Sequence, residues 1–321
     1  ALDYGTGSFE LWNNTIIGTK DDNLTSTQYA GEGVFLQEDN DDFASDAISI
    51  LSKSIIKQNV IGVDNQVNEG HGLYFEMSQR STLQQLEVVE NNFLNNLKDG
   101  FHFEGSEDVR LSGVRLEKNR STNNGGDGFD LFVKNNSGLN AGLGSRQFFI
   151  NENFINDNAQ YGMRLQAEAN ARVSVEFNNN EVLRNGHTPA SQGFHPNDGV
   201  PGSFQAAGGV GIKVFQEIDI TFNSDGSKFQ DNVGDGFSID AFNFFDRLKM
   251  DATFTNASFN GNTLTGFRNH GAAFGTFSFD TSTFDNNGED GLRSVSIEDK
   301  TDYFERRVGG MDLDFKVMSS T

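Results

Sequence analysis

The chain of 321 residues is predicted to be all-β, a single-stranded right-handed parallel β-helix of roughly nine to eleven coils. Three observations carry that prediction. An Asn-x-x-x-Gly turn followed by alternating apolar residues recurs at Asn68/Gly72, Asn96/Gly100, Asn124/Gly128, Asn158/Gly162, Asn232/Gly236, Asn262/Gly266 and Asn287/Gly291. No helical periodicity separates the alternating segments, which argues against βαβ units. Proline is scarce, with 3 copies, as expected where most of the backbone pairs in sheets.

Each recurring residue has a physical reason. Glycine accepts positive φ without a Cβ penalty and would close the turn before each strand. Asparagine bonds nearby backbone groups, and at one position of a stack it would also bond its own copies above and below. Asn96, Asn124, Asn158, Asn232, Asn262 and Asn287 are therefore expected to be buried in the turns and bonded to backbone. The 31 phenylalanines fall mostly on strand or turn positions and would fill a narrow interior. The hydrophobic fraction of 35% is lean for a compact globule but sufficient for a solenoid.

Taken in order, Ser8 to Trp12 already alternates, and Gly33-Val34-Phe35-Leu36 opens the first clear coil. Residues 38–46 form an acidic run that would hold Ca²⁺ or stand as a solvated loop. From Gly72 each unit holds a strand after glycine, a second alternating segment such as Leu86-Glu87-Val88-Val89 or Ile218-Asp219-Ile220-Thr221-Phe222, and an Asn-rich turn. Gly33 and Gly211 open strands of this kind without an Asn four before. Two units are stretched, by residues 134–145 and 186–209, and neighbouring insertions in a solenoid tend to share its binding face. Residues 311–317 alternate strictly and read as a last strand. The whole of 1–321 reads as one domain, a segment of a longer secreted or surface protein.

A net charge of −22 argues against nucleic acid and anionic membranes as partners. No apolar run reaches the roughly 18 residues of a membrane span. Cysteine is absent, which excludes disulfides and thiolate metal sites and suits a bacterial extracellular or cell-surface protein. The histidines show no paired metal-ligand spacing, so the sequence assigns no metal ligands. No cofactor is required, and Ca²⁺ is the ion such carboxylates would take.

Side chains alternate along a strand, so the residue after each glycine should point inward and the next outward. This aligns Tyr74, His102, Asp130, Arg164 and Lys213 in one outward strip, about 4.8 Å apart. Were the protein an enzyme, Arg164 and Lys213 would neutralise a sugar carboxylate, His102 would be the base, Tyr74 the acid and Asp130 the orienting group. Glu76, Glu104, Gln166, Asp240 and His270, with Arg268, would flank that strip as binding residues.

The repeated turns, with Asp99-Gly100-Phe101, Asp127-Gly128-Phe129 and Asp235-Gly236-Phe237, resemble the right-handed parallel β-helix, pectate-lyase-like superfamily. Residues 100–164 also look somewhat like the catalytic module of mannuronan C-5-epimerases, which stack Asp-Gly-Phe coils and carry a Tyr, His and Asp site on one sheet. Their Gly-Phe-Asp-Pro-His-Glu signature is absent here. Two functions follow as expectations. One is a non-catalytic extracellular module, structural, matrix or adhesive, that binds polysaccharide or a neighbouring surface or matrix protein and assembles end to end. The other is a lyase, epimerase or hydrolase acting on an acidic polysaccharide.

Overall fold

The computed structural model describes residues 6–20, 31–38, 50–64, 66–78, 81–106, 109–134, 146–168, 171–187, 207–215, 218–241, 248–270, 273–295 and 313–318. They form three parallel sheets and no helix. Each coil passes through a long sheet of 12 strands, then a short sheet of 7, then a sheet of 9 led by glycine. In the third coil, for example, Leu86–Val89 is followed by Asn92–Leu94 and then Phe101–Gly105. Pairing between coils is parallel and in register, as where Phe101 to Gly105 lies between Leu73 to Met77 and Phe129 to Val133. The fold is a parallel β-helix. The nine strands of the glycine-led sheet number its coils one to nine.

Alternation within each strand builds the core. Leu73, Phe101, Phe129, Met163, Val210, Phe237 and Phe267 follow the corner glycines and are wholly buried inside the coil. The interior is aliphatic-rich near the start and becomes a column of rings near the end. Phe229 stacks on Phe259 at 4.9 Å, and Phe259 on Phe284 at 5.0 Å. Rings from different sheets meet edge to face, as Phe237 meets Phe254 at 5.2 Å, the arrangement that aromatic quadrupoles favour.

The asparagines form the expected ladder, and it is longer than the turn motif alone reveals. The side-chain amide of Asn68 donates to Asn96, Asn96 to Asn124, Asn124 to Asn158, Asn158 to Asn185, Asn185 to Asn232, Asn232 to Asn262 and Asn262 to Asn287, at 2.8–3.2 Å. From Asn124 to Asn287 the Oδ1 also accepts a backbone N–H from the preceding coil, as Asn158 does from Asn124 at 3.1 Å. All these residues are buried except Asn287, which is half-buried near the last coil. A second ladder of Asn14, Asn59, Asn91, Asn119, Asn153 and Asn180 runs along the turn between the long and short sheets. Its signal in the sequence, at Asn91, Asn119, Asn153 and Asn180, is an Asn five residues before a member of the first ladder.

Two expectations about glycine are corrected. Gly72, Gly100, Gly128, Gly162, Gly236 and Gly266 do not have positive φ. They are glycine because the next coil leaves no room: a Cβ on Gly100 would lie 2.2 Å from Ser121 Oγ, 2.8 Å from the Gly128 carbonyl and 2.9 Å from Asn124 Nδ2. Positive φ belongs instead to the residue before the ladder members other than Asn68, such as Glu90 at 57°, Asn95 at 55°, Lys118 at 55° and Asp157 at 58°. The corner of the sixth coil is Gly209, not Gly211, because Val210 pairs with Met163 and Phe237. Its ladder member is Asn185, separated from Gly209 by the long insertion.

Of the insertions, residues 135–145 and 188–206 lie outside the described residues, as does the acidic run from residue 39 onward. The expected terminal strand is present as Leu313–Met318, parallel to Ala273–Asp280.

Removing a middle rung should cost more than removing the last. Asn158→Ala takes the acceptor from two buried donors of Asn124 and leaves Asn185 Oδ1 with only the backbone N–H of residue 158, and should lose about 3 kcal/mol at equilibrium unfolding. Asn287→Ala should lose about 1 kcal/mol, because its site is partly open to water. Equal losses in chemical denaturation would show that the ladder bonds do not carry this stability.

A buried charged strip on the glycine-led sheet as candidate functional site

The in-register pairing stacks Tyr74, His102, Asp130 and Arg164 in one column, as alternation requires. The column continues through Gly211, Ser238, Arg268 and Arg293. Lys213 is therefore corrected out of it. Lys213 stands two residues further along its strand, between Gln166 and Asp240, and its Nζ lies 5.8 Å from the centre of the Tyr161 ring. The error came from taking Gly211 as the corner. Gly211 instead makes space for the Tyr161 ring, 2.5 Å from where its Cβ would be. The second expected column holds Glu76, Glu104, Gln166, Asp240 and His270 as anticipated, with Phe132 between Glu104 and Gln166.

The strip points away from the aromatic core, yet it is not a solvated face. Tyr74, His102, Asp130 and Arg164 are only 2–5% exposed. A third column, at the position just before the corner glycine, joins them: His71, Asp99, Asp127, Tyr161 and Asp235 are also buried. Sequence reasoning took the Asp-Gly-Phe segments as fold markers and missed these aspartates as site residues. Their spacing gave no signal, because alternation sets residues three apart on opposite sides of a strand and only the turn at the corner brings both together.

The groups form a continuous network. His102 Nδ1 lies 2.9 Å from Asp130 Oδ2 and 3.4 Å from Asp99 Oδ2. His71 Nδ1 lies 3.0 Å from that same Asp99 oxygen. Arg164 donates to both oxygens of Asp130, at 3.0 and 2.7 Å, and its Nε lies 2.9 Å from Asp127 Oδ2. Backbone amides complete the frame: Asp127 N–H donates to Asp99 Oδ1 at 2.6 Å, and Tyr161 N–H to Asp127 Oδ1 at 2.8 Å. The Tyr74 ring stacks on His102 at 4.7 Å, and its hydroxyl donates to Glu104 at 2.8 Å. Further along, Arg268 Nε bonds Asp235, and its Nη1 lies 3.2 Å from Asp240.

Burial and pairing set the charges. Burial pushes Asp127 up to about 8, against the pull of Arg164. Burial would also raise Asp130, but Arg164 and then His102 hold it well below the usual carboxylate range. Burial alone would lower His102, yet Asp130 and Asp99 raise it to about 10. At neutral pH the His102 imidazolium and Arg164 guanidinium thus face the Asp99 and Asp130 carboxylates, with Asp127 protonated. His102 is a bound acid there rather than a free base, and Arg164 already spends its charge on Asp130. Such internal neutralisation is what makes buried charge tolerable.

No protein-family model matches the chain, and no curated protein matches it. Among solved structures the chain is similar to the A-module of mannuronan C-5 epimerase AlgE4 from Azotobacter vinelandii, with 12% sequence identity and a TM-score of 0.40, over 99% of this chain and 87% of that one.

The burial of Asp127 makes stability depend on pH. Its folded pKa is raised, so its stabilising contribution is complete below the unfolded value of 3.8 and is lost as pH rises through about 8. Asp127→Asn removes that dependence. Denaturant midpoints across this window should shift in favour of the variant as pH rises, relative to the wild type. Parallel curves would mean that Asp127 is ionised throughout.

Proposed function

We propose that the protein is a non-catalytic extracellular or cell-surface β-helix module that associates with polysaccharide or with a neighbouring surface or matrix protein. One observation carries the reading: the polar strip best placed for chemistry is buried and neutralises itself, so it presents no free cation to an anionic sugar. The surplus of negative charge weighs the same way, since acidic polymers would be repelled from most of the surface. The backbone ladder and the side-chain ladders suit a rigid extended spacer. The edges of the long sheet are the natural surfaces for end-to-end assembly. Ca²⁺ would be held, if anywhere, by surface carboxylates rather than by this strip.

A second reading has one specific observation behind it. A carboxyl group kept protonated near neutral pH, beside a guanidinium and a buried tyrosine, is the kind of perturbed acid that active sites use. On that reading the protein is a lyase, epimerase or hydrolase of an acidic polysaccharide, with Tyr74, His102, Asp130 and Arg164 around Asp127. Lys213 would bind substrate from the neighbouring column.

Incubation with alginate, pectate and other uronate polymers separates the two. The module should give no ultraviolet-absorbing unsaturated product, and NMR of the recovered polymer should show unchanged sugar configuration. It should still co-sediment with its insoluble polysaccharide or matrix partner, and Arg164→Gln should leave that association intact. Turnover that disappears in Asp127→Asn and His102→Gln would establish the enzyme instead.

A further inference from the structure

We propose that His71, Asp99 and His102 bind one divalent transition-metal ion of the zinc type, which clamps the second coil to the third. This inference concerns a site within the strip and holds whether or not the module is catalytic.

The coil geometry brings the three together. His71 and Asp99 occupy the same position in successive coils, each just before a corner glycine, and the Asp99 carbonyl accepts the Gly72 N–H at 2.9 Å. His102 follows Asp99 by three residues across that corner, so its ring returns to the same side. The two imidazole nitrogens and one carboxylate oxygen lie within 4.8 Å of one another, and all three residues are buried.

The separations suit shared coordination. Two ligands, each about 2.0–2.1 Å from one zinc ion, stand about 3.0–3.4 Å apart in six- or four-coordinate geometry. Here Asp99 Oδ2 is 3.0 Å from His71 Nδ1 and 3.4 Å from His102 Nδ1. The Asp99 backbone N–H also points at His71 Nδ1, at 3.3 Å. The Asp99 Oδ2 atom that faces both rings is buried and accepts no hydrogen bond of ordinary geometry. A divalent cation held among the three would meet that oxygen and both rings.

The surroundings hold the ligands as an outer shell does. Asp127 N–H occupies Asp99 Oδ1 and leaves Oδ2 for the ion. Glu32 accepts the backbone N–H of His71. Tyr74 stacks against His102 at 7° between ring planes and fixes its orientation. The Asp99 and Asp130 carboxylates lie 3.4 and 2.9 Å from His102 Nδ1 and favour a metal cation beside it, and binding sends any proton on Nδ1 to solvent. Asp130 then stays paired with Arg164. Two imidazoles and one carboxylate select zinc, cobalt or nickel over calcium, which prefers oxygen.

The test uses the full chain stripped with chelator, and Zn²⁺, Co²⁺ and Ca²⁺ as probes. Titration calorimetry should give one Zn²⁺ per chain, bound at least about tenfold more tightly than Ca²⁺. Zn²⁺ should raise the denaturation midpoint. His71→Gln and Asp99→Asn should each abolish both effects, whereas His187→Gln should leave them. Because a ligand variant can fail to fold, the wild type carries an independent readout: Zn²⁺ should shift the ring-proton NMR resonances of His71 and His102 together at one equivalent. Unmoved resonances, no stoichiometric Zn²⁺ binding, or binding retained in a folded His71→Gln/His102→Gln protein would overturn the proposal.

Discussion

A coil of this protein turns its backbone inward at corners where water cannot reach, and every polar group left there needs a partner. The asparagine ladders meet that requirement. Each side chain offers two donors and an acceptor, enough to bond its copies and to satisfy backbone groups in neighbouring coils. Asn124, for instance, bonds Asn158, the Phe93 carbonyl and Ser121 Oγ. No other residue of that length does all of this in a repeating turn. The left-handed residues before the rungs, which cost on the order of 1–2 kcal/mol apiece outside glycine, persist because the bonded rung over-determines the turn.

The ladders also explain the corner glycines and, through them, the strip. The Asn amide and the next coil's carbonyl crowd each corner until only hydrogen fits at Cα. The corner therefore admits close stacking, and residues on both sides of it meet their counterparts from adjacent coils. Charges placed there are pressed together and buried. They are stable only as a closed set, in which His102 and Arg164 balance Asp99 and Asp130 while Asp127 keeps its proton. A second set of the same kind, Asp235, Asp240 and Arg268, occupies later coils. The core has no such constraint, and its phenylalanines change size and angle from coil to coil.

Much of the candidate site was legible before any coordinates. Tyr74, His102, Asp130 and Arg164 lie one above another as their distances from Gly72, Gly100, Gly128 and Gly162 imply. Lys213 was misplaced because a long insertion separates Asn185 from Gly209, so the turn motif is broken in sequence while intact in space. The second asparagine ladder was overlooked because its residues precede strands that lack the glycine. Asp99 and Asp127 stood in plain view within Asp-Gly-Phe, but the motif explains them as fold markers equally well.

The parallel β-helix and the inward register of its strands were determined by sequence alone, because an alternating pattern repeated with a glycine corner has one packing that buries every apolar side at once. The tertiary structure decided the rest. Whether an outward Arg or His meets water or a carboxylate from another coil depends on stacking distances and cover that no single coil encodes. Burial then set which groups carry charge, since desolvation and pairing act through neighbours some 28–34 residues away. The same stacking brought His71, Asp99 and His102 to within a metal ion's reach, a meeting that their order along the chain does not spell out.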